Sequence, residues 1–351
     1  MKKLLIIIDG MDDESLLALG GRTPREVAFM PGLDFMMANG HNSMMSTIPY
    51  GNTPSSETAI LNILGNHVEP GFSGRSWLEA IGIGVNVSPD DLCMRCNLIR
   101  IEDDIIVSHG REEITEQEVL EIIQQLNIVF GNNLISFHYG KGYRNLMILK
   151  DCKNDVIADP VHELIGSDMS NLFVKSSDTA LQDLLNSIIF RSRDMLSGFG
   201  NCVNGISLWS PGRKPSSEFI QLKGAVVAGT NLIKGIGIVC GMKIIDVEGA
   251  TGDWNTDYFG KYMAAIKALE DNDFVLLHIE AADEASHQKD PKRKVKILEE
   301  IDKNIISPIL KYGRDLEIVV QPDHATSSVT GRHLDKPVEV TTYIMKRTNE
   351  S

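Results

Sequence analysis

The chain has 351 residues, with 34 Lys plus Arg against 48 Asp plus Glu, a formal net charge of −14. So acidic a chain is a poor general binder of nucleic acid, whose phosphates attract basic surfaces, and its 42% hydrophobic content can fill the core of one large or two smaller domains. Five cysteines form no paired framework, and the two of the lone Cys93-x-x-Cys96 would face opposite sides of a strand, so reduced structural thiols and a cytoplasmic location are expected.

The chain opens with a basic pair and the apolar run Leu4 to Ile8, too short before Asp9 for a signal peptide and lacking a cleavage site. It reads as a buried parallel strand that delivers Asp9 at its carboxyl end, where open α/β sheets build their sites. No stretch is long enough to span a membrane. Next comes Gly51-Asn-Thr53-Pro54, with Thr53 expected as a helix N-cap and Pro54 as the first helical residue. Ser56 then falls in the first turn, where free N–H groups and the helix dipole favour an anion.

The texture changes near Ser88. Short β-rich pieces (Cys93 to Ile101, Asp104 to Val107, Leu134 to His138, Leu146 to Leu149) alternate with helical stretches from Glu116 to Leu126 and Asp178 to Met195. From Phe219 the doubly wound pattern returns, with strands expected at Gly224 to Ala228, Lys243 to Val247, Phe274 to His278 and Leu316 to Val320, and a helix at Tyr258 to Leu269. The expected architecture is a doubly wound, mostly parallel α/β core split between 1–87 and 217–351, with an α+β cap inserted at 88–216. Sites commonly form in the cleft between such domains.

Four segments place metal-binding side chains just after expected strands: Ile8-Asp9-Gly10, His278-Ile-Glu280-Ala-Ala-Asp283-Glu284-Ala-Ser-His287, Pro322-Asp323-His324-Ala-Thr326, and Gly331-Arg332-His333-Leu-Asp335-Lys-Pro337. Asp283 and His287, four apart, share one face of a helical turn and can share a metal. Mixed carboxylate and imidazole donors suit Mn²⁺ or Zn²⁺ better than Ca²⁺. His278 is expected as a packed or supporting histidine, and Glu284 as solvated.

These segments resemble the archaeal-type, cofactor-independent phosphoglycerate mutases of the alkaline phosphatase superfamily. So do Val247-Glu-Gly-Ala-Thr251-Gly252-Asp-Trp-Asn-Thr256, Leu222-Lys-Gly224-Ala-Val-Val, Gly74-Arg75-Ser-Trp-Leu-Glu-Ala-Ile-Gly82 and Arg95-Cys-Asn97-Leu, and the resemblance covers nearly the whole chain. It implies an alkaline-phosphatase-like core and Ser56 as the nucleophile that carries a phosphoryl group. It implies one divalent metal on Asp9, Ser56, Asp323 and His324 and a second on Asp283, His287 and His333, with Mn²⁺ as first choice, Zn²⁺ or Mg²⁺ as alternatives, and no organic cofactor. The reaction implied interconverts 3-phosphoglycerate and 2-phosphoglycerate, so the partner is a small phosphorylated metabolite. Arg95, Arg111, Arg144, Arg213 and Lys214 are the cations in the insertion that could bind its phosphate and carboxylate, which guanidinium grips bidentately.

The chain also departs from the family pattern. The family helix begins Pro-Gly-Ser-Asp-Thr-Ala-His, where this chain has Pro54-Ser55-Ser56-Glu57-Thr58-Ala59-Ile60. Gly-Arg-Gly-Pro becomes Gly74-Arg75-Ser76-Trp77, and Trp-Gly-Gln-Gly becomes Trp209-Ser210-Pro211-Gly212. The metal-ligand positions keep their residues while substrate-facing ones change. A phosphotransferase acting on a small alcohol such as homoserine, or a metal-dependent phosphatase, is therefore the alternative.

Overall fold

The computed structural model describes residues 1–108, 114–198 and 202–347. They divide into two compact units, 1–72 with 217–351 and 73–216. The second unit starts at Ser73, earlier than the expected boundary at 88. The reason is that the Arg75–Gly82 helix packs on the Leu92–Glu102 and Gly205–Gly212 strands of that unit.

The first unit is built on a seven-stranded sheet. Its order is Lys243–Ile245, Ala225–Val227, Phe274–Ile279, Lys2–Ile8, Leu316–Gln321, Val338–Met345, His41–Met45. The first five strands run parallel, and the last two join antiparallel. Leu4 through Ile8 are all buried, so both sheet faces are covered there, as the unbroken apolar run required. Each such aliphatic side chain contributes roughly 1.5–3 kcal/mol. Packed against one face are Met30, Leu33 and Met36 of the segment around the Pro31–Asn39 helix, Leu269 of the Tyr258–Asp271 helix, and Ile297, Leu298 and Ile301 of the Pro291–Ile301 helix.

The three central strands matter most for function. Ile8 pairs with Ile279, and Ile7 stands opposite both His278 and Gln321. The carboxyl ends of Lys2–Ile8, Phe274–Ile279 and Leu316–Gln321 therefore lie side by side, delivering Asp9, Glu280 and Asp323 to one edge of the sheet. Asp9 N–H donates to Ile279 O at 2.9 Å, which locks this alignment. Gly10 follows with φ +65°, and a Cβ there would lie 2.7 Å from Asp283 Cα, so only glycine allows the turn.

The second unit is antiparallel. The Leu92–Glu102 strand pairs with Ile105–Ser108, Arg144–Leu149 and Gly205–Gly212, and Ile135–Lys141 adds to Arg144–Leu149. The Glu116–Phe130 and Thr179–Leu196 helices bury Val119, Ile122, Leu126, Leu185, Ile188 and Ile189 in its core. Cys93 and Cys96 both lie fully buried on the long strand, and burial pushes the Cys93 thiol up to about 12, so it stays protonated.

Candidate metal and phosphoryl site

The Ser56–Ile63 helix starts two residues later than expected. Ser55, with extended backbone, is its N-cap, and Ser56 is the first helical residue. The Ser55 hydroxyl makes a 3.0 Å hydrogen bond with Thr58 Oγ1. The Ser56 hydroxyl instead points to His324 Nε2 at 3.3 Å, and Ser56 is buried. Adjacent positions thus have different partners because Ser55 is extended and Ser56 already helical. Ile60, where the family pattern has histidine, is fully buried.

Three histidines converge through the same tautomer. His287 Nδ1 donates to Gly331 O at 2.7 Å, and His333 Nδ1 donates to Pro54 O at 3.0 Å. Thr326 Oγ1 donates to Asp283 Oδ1 at 2.6 Å, so at His324 Nδ1, 3.2 Å away, it must accept. Each Nδ1 thus carries the proton, and each Nε2 presents a bare lone pair to the site. This is the arrangement that orients imidazole for a metal.

The Nε2 atoms of His287 and His333 are only 3.1 Å apart. Asp283 Oδ2 lies 3.0 Å from His287 Nε2, and Asp283 Oδ1 lies 3.5 Å from His333 Nε2. Two lone pairs and a carboxylate facing one another repel unless a cation sits among them, a metal ion or, without one, a proton on an Nε2. Donors each about 2.1 Å from a shared ion stand roughly 3.0–3.4 Å apart in octahedral or tetrahedral geometry, and two of these separations meet that spacing, with the 3.5 Å one just beyond it. Burial alone would raise the Asp283 carboxyl, but His287 and His333 outweigh it and hold it well below the usual carboxylate range.

Beside this trio lies a second, more acidic group. His324 Nε2 is 3.7 Å from Asp9 Oδ1 and 3.5 Å from Asp323 Oδ2. His278 Nε2 is 3.6 Å from Asp9 Oδ2. Burial, followed by repulsion from Asp323, Asp283 and Glu280, pushes the Asp9 carboxyl well above its usual range. Burial likewise lifts Asp323 to about 6. His278 falls to about 3 through burial and the nearby Lys261, so it is neutral. Asp9 Oδ1, Asp323 Oδ2 and His278 Nε2 are buried with no hydrogen-bond partner among the described residues. Buried polar atoms normally find partners, and three orphans around one point suit a cation that takes oxygen and nitrogen donors. The residues present therefore fit divalent metal binding. The groupings within reach of one ion are Asp283, His287 and His333; Asp9, Asp283 and His324; and Asp9, His278 and Asp323.

Some residues departed from expectation. Glu284, expected in solvent, is buried in the Ala281–His287 helix. His278, expected as packed or supporting, is buried with its Nε2 3.6 Å from Asp9 Oδ2. Thr326 was missed altogether, because nothing in its sequence neighbourhood distinguishes it from an ordinary strand threonine.

The substrate candidates belong to the second unit. Arg95 is buried and grips Glu79 with two bonds, Nε to Oε2 at 2.9 Å and Nη2 to Oε1 at 2.7 Å, while its guanidinium lies 4.8 Å from the centre of the Trp209 ring. Arg75 Nε stands 3.4 Å from Glu79 Oε1. Burial opposes ionisation of Glu79, but Arg95, Arg75 and Arg144 together hold its carboxyl below its usual range. Three guanidiniums around one carboxylate leave a surplus of positive charge. Arg144 Nε also donates to Tyr143 Oη at 2.9 Å. Arg213 instead ties down the distant 152–154 segment, donating to Cys152 O at 2.8 Å and to Asn154 O at 2.5 Å. Lys214 is exposed, and Arg111 lies outside the described residues. Among the described residues no helix is long and apolar enough to cross a membrane.

The model of the 2,3-bisphosphoglycerate-independent phosphoglycerate mutase family matches residues 38–199. The chain is 34% identical to the enzyme of that name from Methanothrix thermoacetophila over 96% of this chain and 89% of the relative. It is also 34% identical to the one from Methanosarcina barkeri, over 99% of this chain and 92% of that one. Among solved structures, a Pyrococcus horikoshii protein superposes with a TM-score of 0.78 at 24% identity, covering 99% of this chain and 89% of its own. The cofactor-independent phosphoglycerate mutase of Thermoplasma acidophilum gives a TM-score of 0.56 at 24% identity, covering 100% and 92%. At these identities the structural matches speak for the fold.

Proposed function

Because the chain belongs to the 2,3-bisphosphoglycerate-independent phosphoglycerate mutase family, as its whole-length relatives show, we propose that it interconverts 3-phosphoglycerate and 2-phosphoglycerate through a phosphoserine at Ser56. The observation that carries this reading is the meeting of three bare imidazole nitrogens and three aspartates, with the Ser56 hydroxyl 3.3 Å from one of those nitrogens.

In this reading Asp9, Ser56, Asp323 and His324 hold one divalent ion, and Asp283, His287 and His333 hold the other, with Mn²⁺ the preferred ion. Bound there, the ions make the serine hydroxyl easier to ionise and neutralise charge on phosphoryl oxygens. Ser56 Oγ attacks phosphorus as the bond from phosphorus to the substrate's hydroxyl oxygen breaks, and that oxygen takes up a proton. The same phosphoryl group then returns from Ser56 to the other hydroxyl of the glycerate, so no phosphate is released and no external donor is consumed. The first-turn N–H groups of the Ser56–Ile63 helix have no side-chain cap and would favour an incoming anion. Arg95, Arg111, Arg144, Arg213 and Lys214 remain the candidates for binding substrate anions. Arg95 and Arg144 have the strongest support, from the positive surplus around Glu79.

The relatives described above are mutases, which gives no support to a homoserine-directed phosphotransferase. The deciding experiment assays purified protein with Mn²⁺ for 3-phosphoglycerate isomerisation, ATP-dependent homoserine phosphorylation and phosphate release side by side. Isomerisation without added bisphosphoglycerate is expected. Phosphate release or homoserine phosphorylation without isomerisation would overturn the assignment.

A further inference from the structure

Thr326 touches both groups of ligands at once. Its hydroxyl donates to Asp283 Oδ1 at 2.6 Å and accepts from His324 Nδ1 at 3.2 Å. Its backbone pairs with that of His333 in a short antiparallel ladder, Ala325–Thr326 against His333–Leu334. The residue is fully buried, so no water competes for these bonds.

The rest of the fold pins it in place. Thr326 N–H donates to Asp12 O at 3.0 Å. Its carbonyl accepts from Lys294 Nζ at 3.1 Å, and Lys294 is a fully buried lysine paired with Asp13 Oδ2 at 2.9 Å. Asp13 in turn accepts from the backbone N–H and the hydroxyl of Ser328. A buried ion pair thus clamps both sides of the 323–328 turn. Without such a clamp, a hydroxyl bridging two ligand side chains would have no fixed position to impart.

We propose that Thr326 is a positioning residue shared by both metal sites: one hydroxyl sets the tautomer of His324 for the first site and the carboxylate orientation of Asp283 for the second. The inference rests on the two-metal reading above. It follows from the donor count. A hydroxyl has one proton, here given to Asp283, so the lone pair it offers His324 holds that ring's proton on Nδ1 and leaves Nε2 bare. Losing such a bond to a metal ligand typically lowers metal affinity 10- to 100-fold.

The test is Mn²⁺ titration by calorimetry and electron paramagnetic resonance of wild type, Thr326→Val and Thr326→Ser. A ¹⁵N-histidine NMR spectrum of the metal-free proteins reports the His324 tautomer independently of metal and of turnover. Thr326→Val keeps nearly the same volume but lacks the hydroxyl, and it should weaken both sites about 10-fold or more and lose the Nδ1-protonated signature. Thr326→Ser should restore both. If the valine variant does not fold, Thr326→Ala against Thr326→Ser gives the same contrast, since the two differ by the hydroxyl alone. A loss confined to one site, affinities at both sites within about threefold of wild type, or a serine variant as weak as the hydroxyl-free ones would each overturn the shared role. A wild type that binds no divalent metal would overturn the two-metal reading itself and this inference with it. Two ions bound equally well by wild type and Thr326→Val would overturn only the role of Thr326.

Discussion

Asp9 and Asp283 are both buried aspartates in one site, each within reach of a histidine, yet their surroundings drive them in opposite directions. Asp9 faces Asp323, Asp283 and Glu280, and burial together with these charges favours its protonated form. Asp283 faces His287 and His333, which hold it ionised in spite of burial. Depth below the surface is the same for both, so the difference lies in the sign of the neighbouring charge. One half of the site carries its own counter-charge, and the other half is an acidic hole that a cation relieves.

The sharpest way to break this comparison is the same chemical change at both positions. Asp9→Asn and Asp283→Asn should each cut turnover by on the order of a hundredfold or more, since each removes a metal-facing carboxylate. Their stabilities should part. Metal-free Asp283→Asn should lose roughly 3 kcal/mol by stranding its imidazole partners. Metal-free Asp9→Asn should melt at or above wild type, because it removes a charge that every neighbour opposes. Melting curves in EDTA decide the matter, and a large destabilisation at Asp9 would contradict the picture of a repelled carboxylate.

Chelation should also act unequally. Removing metal should abolish activity, and Mn²⁺ should restore it. The regained melting temperature should depend more on Asp9 and Asp323 than on Asp283, because the acidic half has no internal cation. Equal metal-induced shifts in wild type and Asp9→Asn would speak against this.

A pH series sharpens the contrast further. Asp323 is raised to about 6 from an ordinary value near 3.8. Between those values the folded state keeps a proton that the unfolded state releases. Its contribution to metal-free stability is therefore largest in acid and is lost as pH rises from about 4 to about 6, by up to about 1.4 kcal/mol per pH unit. Asp283 runs the other way: its contribution is present above its ordinary value and is lost as pH falls through its lowered one. The measurement is the melting difference between wild type and Asp323→Asn in EDTA, from about pH 4.5 to about pH 6.5. Wild type should lose ground as pH rises, and a flat difference would remove the Asp323 shift from the account.

The smallest expected effect belongs to Ser55. Its hydroxyl bonds Thr58 and does not face the imidazoles, so Ser55→Ala should cost about 0.5–1.5 kcal/mol of stability and leave turnover within a few fold. A collapse of activity in a folded Ser55→Ala protein would show that the helix register assigns the wrong hydroxyl.

Much of this was legible in the chain itself. Leu4 to Ile8 could only be a strand covered on both faces, and the spacing of Asp283 and His287 put them on one helical face. The His41–Met45 strand could not be read in advance. It is exposed, has no apolar alternation, and is a strand only because it pairs with Val338–Met345. Residues 75–82 fall in the second unit and not with 1–87 for a similar reason, since one of the strands their helix packs on, Gly205–Gly212, lies far along the chain. The helix at Ser56 started late because Ser55 took the capping position expected of Thr53. Thr326 and the Lys294–Asp13 pair stayed hidden because their roles come from contacts between separate segments, 43 residues apart for Thr326 and Asp283 and 281 for Lys294 and Asp13. Local pattern therefore reveals ligands at strand ends, while the groups that aim those ligands emerge only from long-range packing.

The central claim is that phosphate passes through Ser56, and the most direct measurement is acid quench of the Mn²⁺-loaded protein during turnover of 3-phosphoglycerate, followed by peptide mass spectrometry. The account predicts phosphate on the peptide bearing Ser56, at that residue and not at Ser55. It also predicts no phosphopeptide and less than about a thousandth of wild-type activity in a folded Ser56→Ala protein. Steady turnover by Ser56→Ala, or a phosphoryl group found on a different side chain, would contradict it.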